Sequence, residues 1–150
     1  MQTLRLTLAT AYNLPGDGTA NVVPLDLIAG GTLLSWWNPA DPNYITVPTS
    51  IFNPIEGLIG FRCSIAKAEP VGGNRRWAGI YRNDQVADIA AHHHFRYTGA
   101  GPAKGPDMMS DTAPVTFNPG DRFSLLVLQD SGVPLQVVQL AINTVLWVAI

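Results

Sequence analysis

Apolar residues recur at every second position along most of this chain, and Gly or Pro interrupts each run after a few residues. Leu4, Leu6 and Leu8 alternate with Thr3, Arg5 and Thr7; Ile59, Phe61, Cys63 and Ile65 alternate with Gly60, Arg62, Ser64 and Ala66. A period of two places each set on one face of a strand, whereas a helix face needs a period near 3.6. The 150 residues include 14 Gly and 12 Pro, well above the roughly 12% usual for the two together. Breakers at that density exclude a helix bundle and leave short strands joined by turns.

Further runs read the same way: Val22 to Ile28 with Pro24 marking an edge or bulge, Thr32 to Trp37, Tyr44 to Val47 and Arg76 to Tyr81. Val86 to Tyr97, Phe123 to Leu128, Leu135 to Leu140 and Thr144 to Ile150 complete the set. Asn118-Pro119-Gly120-Asp121 suits a type II turn, with Pro presetting its second position and Gly supplying a positive φ at its third. Gly99 to Asp111 reads as a long loop without apolar period. About ten strands at such spacing predict an all-β antiparallel sandwich, and a chain of this length predicts one domain. Thr144 to Ile150 is apolar on both faces. That predicts a central strand covered on both faces, with a neighbouring subunit as one candidate for the second cover.

Composition narrows the partners. A hydrophobic fraction of 47% excludes a disordered chain. A net charge of −2 and a pI near 5.8 offer no basic patch for nucleic acid. Charged residues are only 13%, about half the usual share, so the surface is neutral and polar or is covered by other chains. The single Cys63 excludes an internal disulfide and a Cys-based zinc site, and its apolar surroundings predict an inert buried thiol. Met1 to Leu6 has no signal-peptide pattern. Leu135 to Ile150 carries Gln136, Gln139 and Asn143 and is too short and polar to span a bilayer. The expectation is a soluble protein that does not depend on an oxidising compartment, without membrane insertion.

Chemistry is sparse. His92 and His94 share a strand face at a spacing that could chelate a metal, but no Asp, Glu or Cys stands beside them. Asp41, Asp84, Asp107 and Asp130 are the acidic residues that could converge on calcium from loops. The carboxylates sit mostly in turns, where capping the backbone is their ordinary role. Gly16-Asp17-Gly18-Thr19-Ala20 lacks the strand and helix a dinucleotide loop needs, and no Gly-x-Ser-x-Gly occurs. No catalytic residue, cofactor or metal is therefore expected. Trp36 and Trp37 read either as one core ring beside one contact ring, or as a sugar-stacking platform.

The order of these elements resembles the jelly-roll domains of the complement globular head and tumour necrosis factor family. Ile55-Glu56-Gly57-Leu58-Ile59-Gly60-Phe61 is similar to the family's lead into its first long inner strand. Ile80-Tyr81-Arg82-Asn83-Asp84 is similar to its Asn-Gly hairpin, and Phe117-Asn118-Pro119-Gly120-Asp121-Arg122-Phe123 to its Gly-Asp turn and strand. The chain departs from the pattern where Ile59 and Phe61 replace Tyr and where Asp84 follows Asn83 in place of Gly. Gln129-Asp130-Ser131-Gly132 resembles a variant found in bacteriophage structural proteins.

The resemblance covers residues 20–150 and sets residues 1–19 apart as an N-terminal strand or arm. It implies a homotrimer packed around aromatic residues, with Tyr81, Phe123, Leu125 and Trp147 as interface candidates. The function expected from it is a non-enzymatic virion structural protein, a phage head decoration or fibre component docking on capsid or tail proteins. The alternative is a carbohydrate-binding adhesin or receptor-binding tip that reads surface glycans through loops such as Gly99 to Asp111, with Trp36 and Trp37 as ligand-binding candidates. The lack of a collagen repeat, coiled coil or stalk favours the first. The apolar face of Leu4, Leu6 and Leu8 needs a strand partner, either within its own sandwich or in a neighbouring subunit or capsid protein.

Overall fold

A computed structural model describes residues 2–65, 75–85, 89–96, 107–110 and 115–146. The described residues form twelve strands and no α-helix. They are β1 (Gln2–Thr7), β2 (Tyr12–Leu14), β3 (Asn21–Val22), β4 (Leu27–Gly31), β5 (Ile45–Thr46) and β6 (Ile55–Ile65). After them come β7 (Arg75–Arg82), β8 (Ile89–Arg96), β9 (Asp107–Ser110), β10 (Val115–Phe117), β11 (Arg122–Gln129) and β12 (Leu135–Leu146). One sheet runs β10-β6-β12-β1-β4, with β2 added to β12 and β9 to β6; the other runs β3-β11-β7-β8, with β5 added to β11. Every pairing is antiparallel. The chain passes from β6 to β7 and β8 in the second sheet, returns to the first for β9 and β10, crosses again for β11 and ends in the first with β12.

The two sheets enclose one core because alternate residues of each strand point inward. Leu4 and Leu6 of β1, Ile59, Phe61, Cys63 and Ile65 of β6, and Val137 and Ile142 of β12 meet Ala78 and Ile80 of β7 and Phe123, Leu125 and Val127 of β11. Cys63 is free and buried. Aromatic rings fill one end of the core: Trp36 stands edge-on to Phe117 at 5.7 Å, and Phe117 lies 5.1 Å from Phe123. Such contacts add to what burial alone contributes.

Local detail departs from the sequence expectation in four places. The strand expected at Val22 to Ile28 is two, β3 in the second sheet and β4 in the first. The last two expected strands are one, β12, with a register shift between Val137 and Gln139 where the alternation breaks. The strand expected at Thr32 to Trp37 is instead a 3-10 turn at Leu34–Trp36 that tucks Trp36 inward. Inside the loop expected at Gly99 to Asp111, β9 pairs with β6 from Phe61↔Ser110 to Ser64↔Asp107. Backbone groups can complete a sheet edge without any apolar alternation to announce it.

β1 lies between β12 and β4, in register from Gln2↔Leu146 to Thr7↔Ala141 on one side and from Leu4↔Gly31 to Thr7↔Leu27 on the other. Its apolar face is thus satisfied within its own chain.

Candidate functional site

The outward face of the second sheet carries the most unusual surface. In β11 the odd residues Phe123, Leu125 and Val127 point into the core, so Ser124, Leu126 and Leu128 point out. Their partners on β7 are Tyr81, Gly79 and Trp77, and directly opposed residues share a face. Only Gly79 stands between Trp77 and Tyr81 on that side, and their ring centroids close to 5.5 Å at 46°. Val22 of β3 adjoins Leu126. Trp77, Leu126, Leu128 and Val22 are half-buried. Burial holds the Tyr81 phenol above its ordinary pKa of 10.0, so it stays neutral. The backbone of β8 places His92 opposite Gly79 and His94 opposite Trp77.

One end of the sandwich is tied by a polar network around Asp121. Asn83 and Asp84 both take left-handed backbone conformations, with φ of 52° and 58°, and the Gln85 N–H closes their turn on the Arg82 carbonyl at 3.0 Å. Asn and Asp tolerate this region because their short polar side chains bond locally. In the neighbouring turn Gly120 has φ 86° and the Asp121 N–H donates to the Asn118 carbonyl at 3.0 Å. That is the left-handed third residue a type II turn requires. Arg122 donates to Asp84 at 3.4 Å and stacks its guanidinium 3.7 Å above the Tyr44 ring.

The opposite end is built from Gln129-Asp130-Ser131-Gly132. The Gln129 amide, wholly buried, donates to the carbonyls of Leu14 and Val133 at 3.2 and 2.7 Å and accepts from the Ser131 N–H at 2.8 Å. Beside it the buried Arg76 donates to Asp130 at 3.4 Å. The motif thus joins loops and satisfies buried polar groups.

Several expected site residues sit elsewhere than supposed. Phe123 and Leu125, read as subunit contacts, are 0% exposed and belong to this chain's own core. The misreading arises because β11 is apolar on both faces, and only its register with β7 decides which face is inside. Trp36, read as half of a sugar platform, is 3% exposed and has no ring face to offer. Trp37 is half-buried, with its indole nitrogen enclosed and without a hydrogen-bond partner. Tyr81 does lie on the outward face, 9% exposed. Trp147 lies outside the described residues, as do the side chains of His92 and His94. The outward residues Trp77, Leu126 and Leu128 escaped notice because both sides of β11 carry large apolar residues, with only Arg122 and Ser124 marking the outward one.

Acidic residues are engaged in holding the fold. Asp17 accepts from the Thr19 N–H, Asp26 from the Ala9 N–H and Glu56 from the Thr116 hydroxyl. Asp84 and Asp130 lie at opposite ends of β7, against Arg122 and Arg76, so the four carboxylates proposed for calcium do not converge. Among the described residues no group of three metal-binding side chains occurs, and no helix is long and apolar enough to cross a membrane.

No protein-family model and no curated protein matches the sequence. Solved structures do resemble the fold. The globular domain of zebrafish complement 1qA protein superposes with a TM-score of 0.60, covering 99% of this chain and 98% of that chain at 11% sequence identity. At that identity the likeness is one of fold: a single antiparallel jelly-roll sandwich of the complement globular-head type.

Proposed function

We propose that this chain is a non-enzymatic structural protein of a virion, working as a homotrimer in a bacteriophage head decoration or fibre. The observation that carries the assembly part is the outward face of Trp77, Tyr81, Leu126 and Leu128, set in a chain with only 13% charged residues. Aromatic residues without charge at the centre are the composition of a protein–protein interface core. Carboxylates committed to Arg76, Arg122 and backbone N–H groups support a scaffold over an acid–base site. The virion setting rests on the sequence resemblance of Gln129-Asp130-Ser131-Gly132. Light scattering at micromolar concentration tests the trimer, and a mass matching the 16.1 kDa chain defeats it. Mass spectrometry of purified phage particles tests the setting; absence of the chain from every particle fraction rejects it.

A second reading, a carbohydrate-binding tip, draws its support from Trp37, whose ring is only half-buried. Reproducible glycan-array hits lost in Trp37→Ala favour it, and a blank array removes it.

A further inference from the structure

We infer that Gln129 shields the two aspartate linkages most open to isomerisation, Asp17–Gly18 with its backbone carbonyl and Asp130–Ser131 with its side chain. The inference stands independently of the assembly proposed above. Asp-Gly and Asp-Ser each occur once in the chain, and Asn-Gly does not occur. In such a linkage the backbone nitrogen after the aspartate attacks the side-chain carboxyl carbon. A C–N bond closes a succinimide ring while one carboxyl oxygen leaves as water, carrying the acid proton and the amide proton. Water then adds to either ring carbonyl and reopens it, giving aspartate or isoaspartate, whose backbone runs through the side chain. The sequence of steps is mass-neutral and nothing is oxidised. It needs an uncommitted nitrogen, a protonated carboxyl and a small following residue.

Both nitrogens are committed to one residue. The Gly18 N–H donates to the Gln129 carbonyl at 3.0 Å, and the Ser131 N–H donates to the Gln129 side-chain oxygen at 2.8 Å. Gln129 is 0% exposed, and its amide is anchored in turn on the carbonyls of Leu14 and Val133. It cannot swing away without opening this end of the sandwich. The carboxyls are engaged as well. Asp17 accepts the Thr19 N–H at 2.8 Å, and the bonds from Thr19 hold its carboxyl below the ordinary 3.8. Asp130 faces the Arg76 guanidinium at 3.4 Å. A carboxylate kept ionised is the poorer target for attack. Asp17 is exposed, so water reaches it, and the tie on the Gly18 nitrogen is what separates it from a free Asp-Gly.

The full chain, folded and in guanidinium chloride, is held at mildly acidic pH while isoaspartate is counted by enzymatic methyl transfer and located by peptide mass spectrometry. In denaturant both sites should convert, Asp17 the faster because Gly18 adds no side chain. In the folded chain each should convert at least roughly fivefold more slowly, the weight of one hydrogen bond. Gln129→Met removes the side-chain acceptor and keeps the backbone carbonyl, so it should speed Asp130 alone. Near-UV circular dichroism establishes that this variant is folded. Folded-chain conversion at Asp17 as fast as in denaturant overturns the inference. So does a folded variant that leaves Asp130 unchanged, or one that speeds both sites alike, which is general loosening. Should Gln129→Met not fold, hydrogen exchange of the wild type decides. Slow exchange of the Gly18 and Ser131 amides supports the shield, and exchange at the unfolded rate at either amide overturns it.

Discussion

Asn83 donates its side-chain N–H to the Asp121 carboxylate at 2.9 Å, joining two turns that lie 38 residues apart in sequence. The amide oxygen of the same Asn83 accepts the Arg122 N–H at 2.9 Å. The other Asp121 oxygen accepts the backbone and side-chain N–H groups of Asn118 at 3.0 and 3.1 Å. Burial alone would raise the pKa of Asp121, but Asn83, the two bonds from Asn118 and the Arg82 charge outweigh it and hold the carboxyl below its ordinary 3.8.

A folded pKa below the unfolded one means the stabilisation is complete above about pH 4 and is lost as pH falls through the folded value. Asp121→Asn keeps the shape but cannot ionise, and it turns a donor toward the Asn118 N–H. Urea unfolding should show it about 2 kcal/mol less stable at pH 7, the scale of hydrogen bonds to a charged group. That gap should narrow below pH 3.8. A gap that stays constant with pH would show that the charge of Asp121 contributes nothing.

Gly16 touches backbone directly. A Cβ there would meet the N, C and O atoms of Val133, while the Gly16 carbonyl accepts the Gly132 N–H at 2.9 Å. Gly16→Ala should cost about 3 kcal/mol, as overpacking against rigid backbone does. Gly132→Ala, at φ 80° but with open space around it, should cost only about 1 kcal/mol from the left-handed backbone. Equal urea midpoints for the two variants would refute the distinction.

Thr144 faces the core opposite Leu4 and Ile59, and its hydroxyl is buried without a partner. An unmade hydrogen bond in the interior costs more than the group contributes. Thr144→Val has the same shape and should raise stability by about 1 kcal/mol, shifting the melting temperature up by roughly 2–4 °C at this chain length. A lower melting temperature would argue that the hydroxyl is satisfied in solution.

Deleting residues 1–11 removes β1 from between β12 and β4. Leu4 and Leu6 are 1% and 0% exposed, and each contributes about 1.5–3 kcal/mol by burial. With the lost ladder on both sides, the deletion approaches the whole stability of an ordinary domain, about 5–15 kcal/mol. The truncated chain should therefore be insoluble or unfolded by circular dichroism. A folded product with an unchanged melting temperature would mean that β1 is dispensable.

How much of this was legible beforehand depends on how one-sided each strand is. Leu4 and Leu6, and Ile59 through Ile65, alternate cleanly with polar or small residues, so their inward faces follow from the sequence and coincide with the core. The turn at Asn118 to Asp121 follows from Pro and Gly at adjacent positions, which restrict backbone angles locally. Such features need only neighbours along the chain. Trp36 does not fit this class, because its place in a 3-10 turn against Phe117 depends on a ring more than 80 residues away.

Local alternation thus determined that this chain would form short antiparallel strands in an all-β sandwich, since a period of two is fixed by the geometry of each strand alone. Which face of a doubly apolar strand lies inside was decided only in three dimensions. β11 offers Phe123, Leu125 and Val127 on one side and Leu126 and Leu128, after Arg122 and Ser124, on the other, so apolar character alone does not choose between them. Pairing with β7 sets Leu125 beside Ile80 and Leu126 beside Gly79, and the opposing sheet then covers only the first face. The register carries that choice because a slip of one residue would exchange every inward side chain for an outward one.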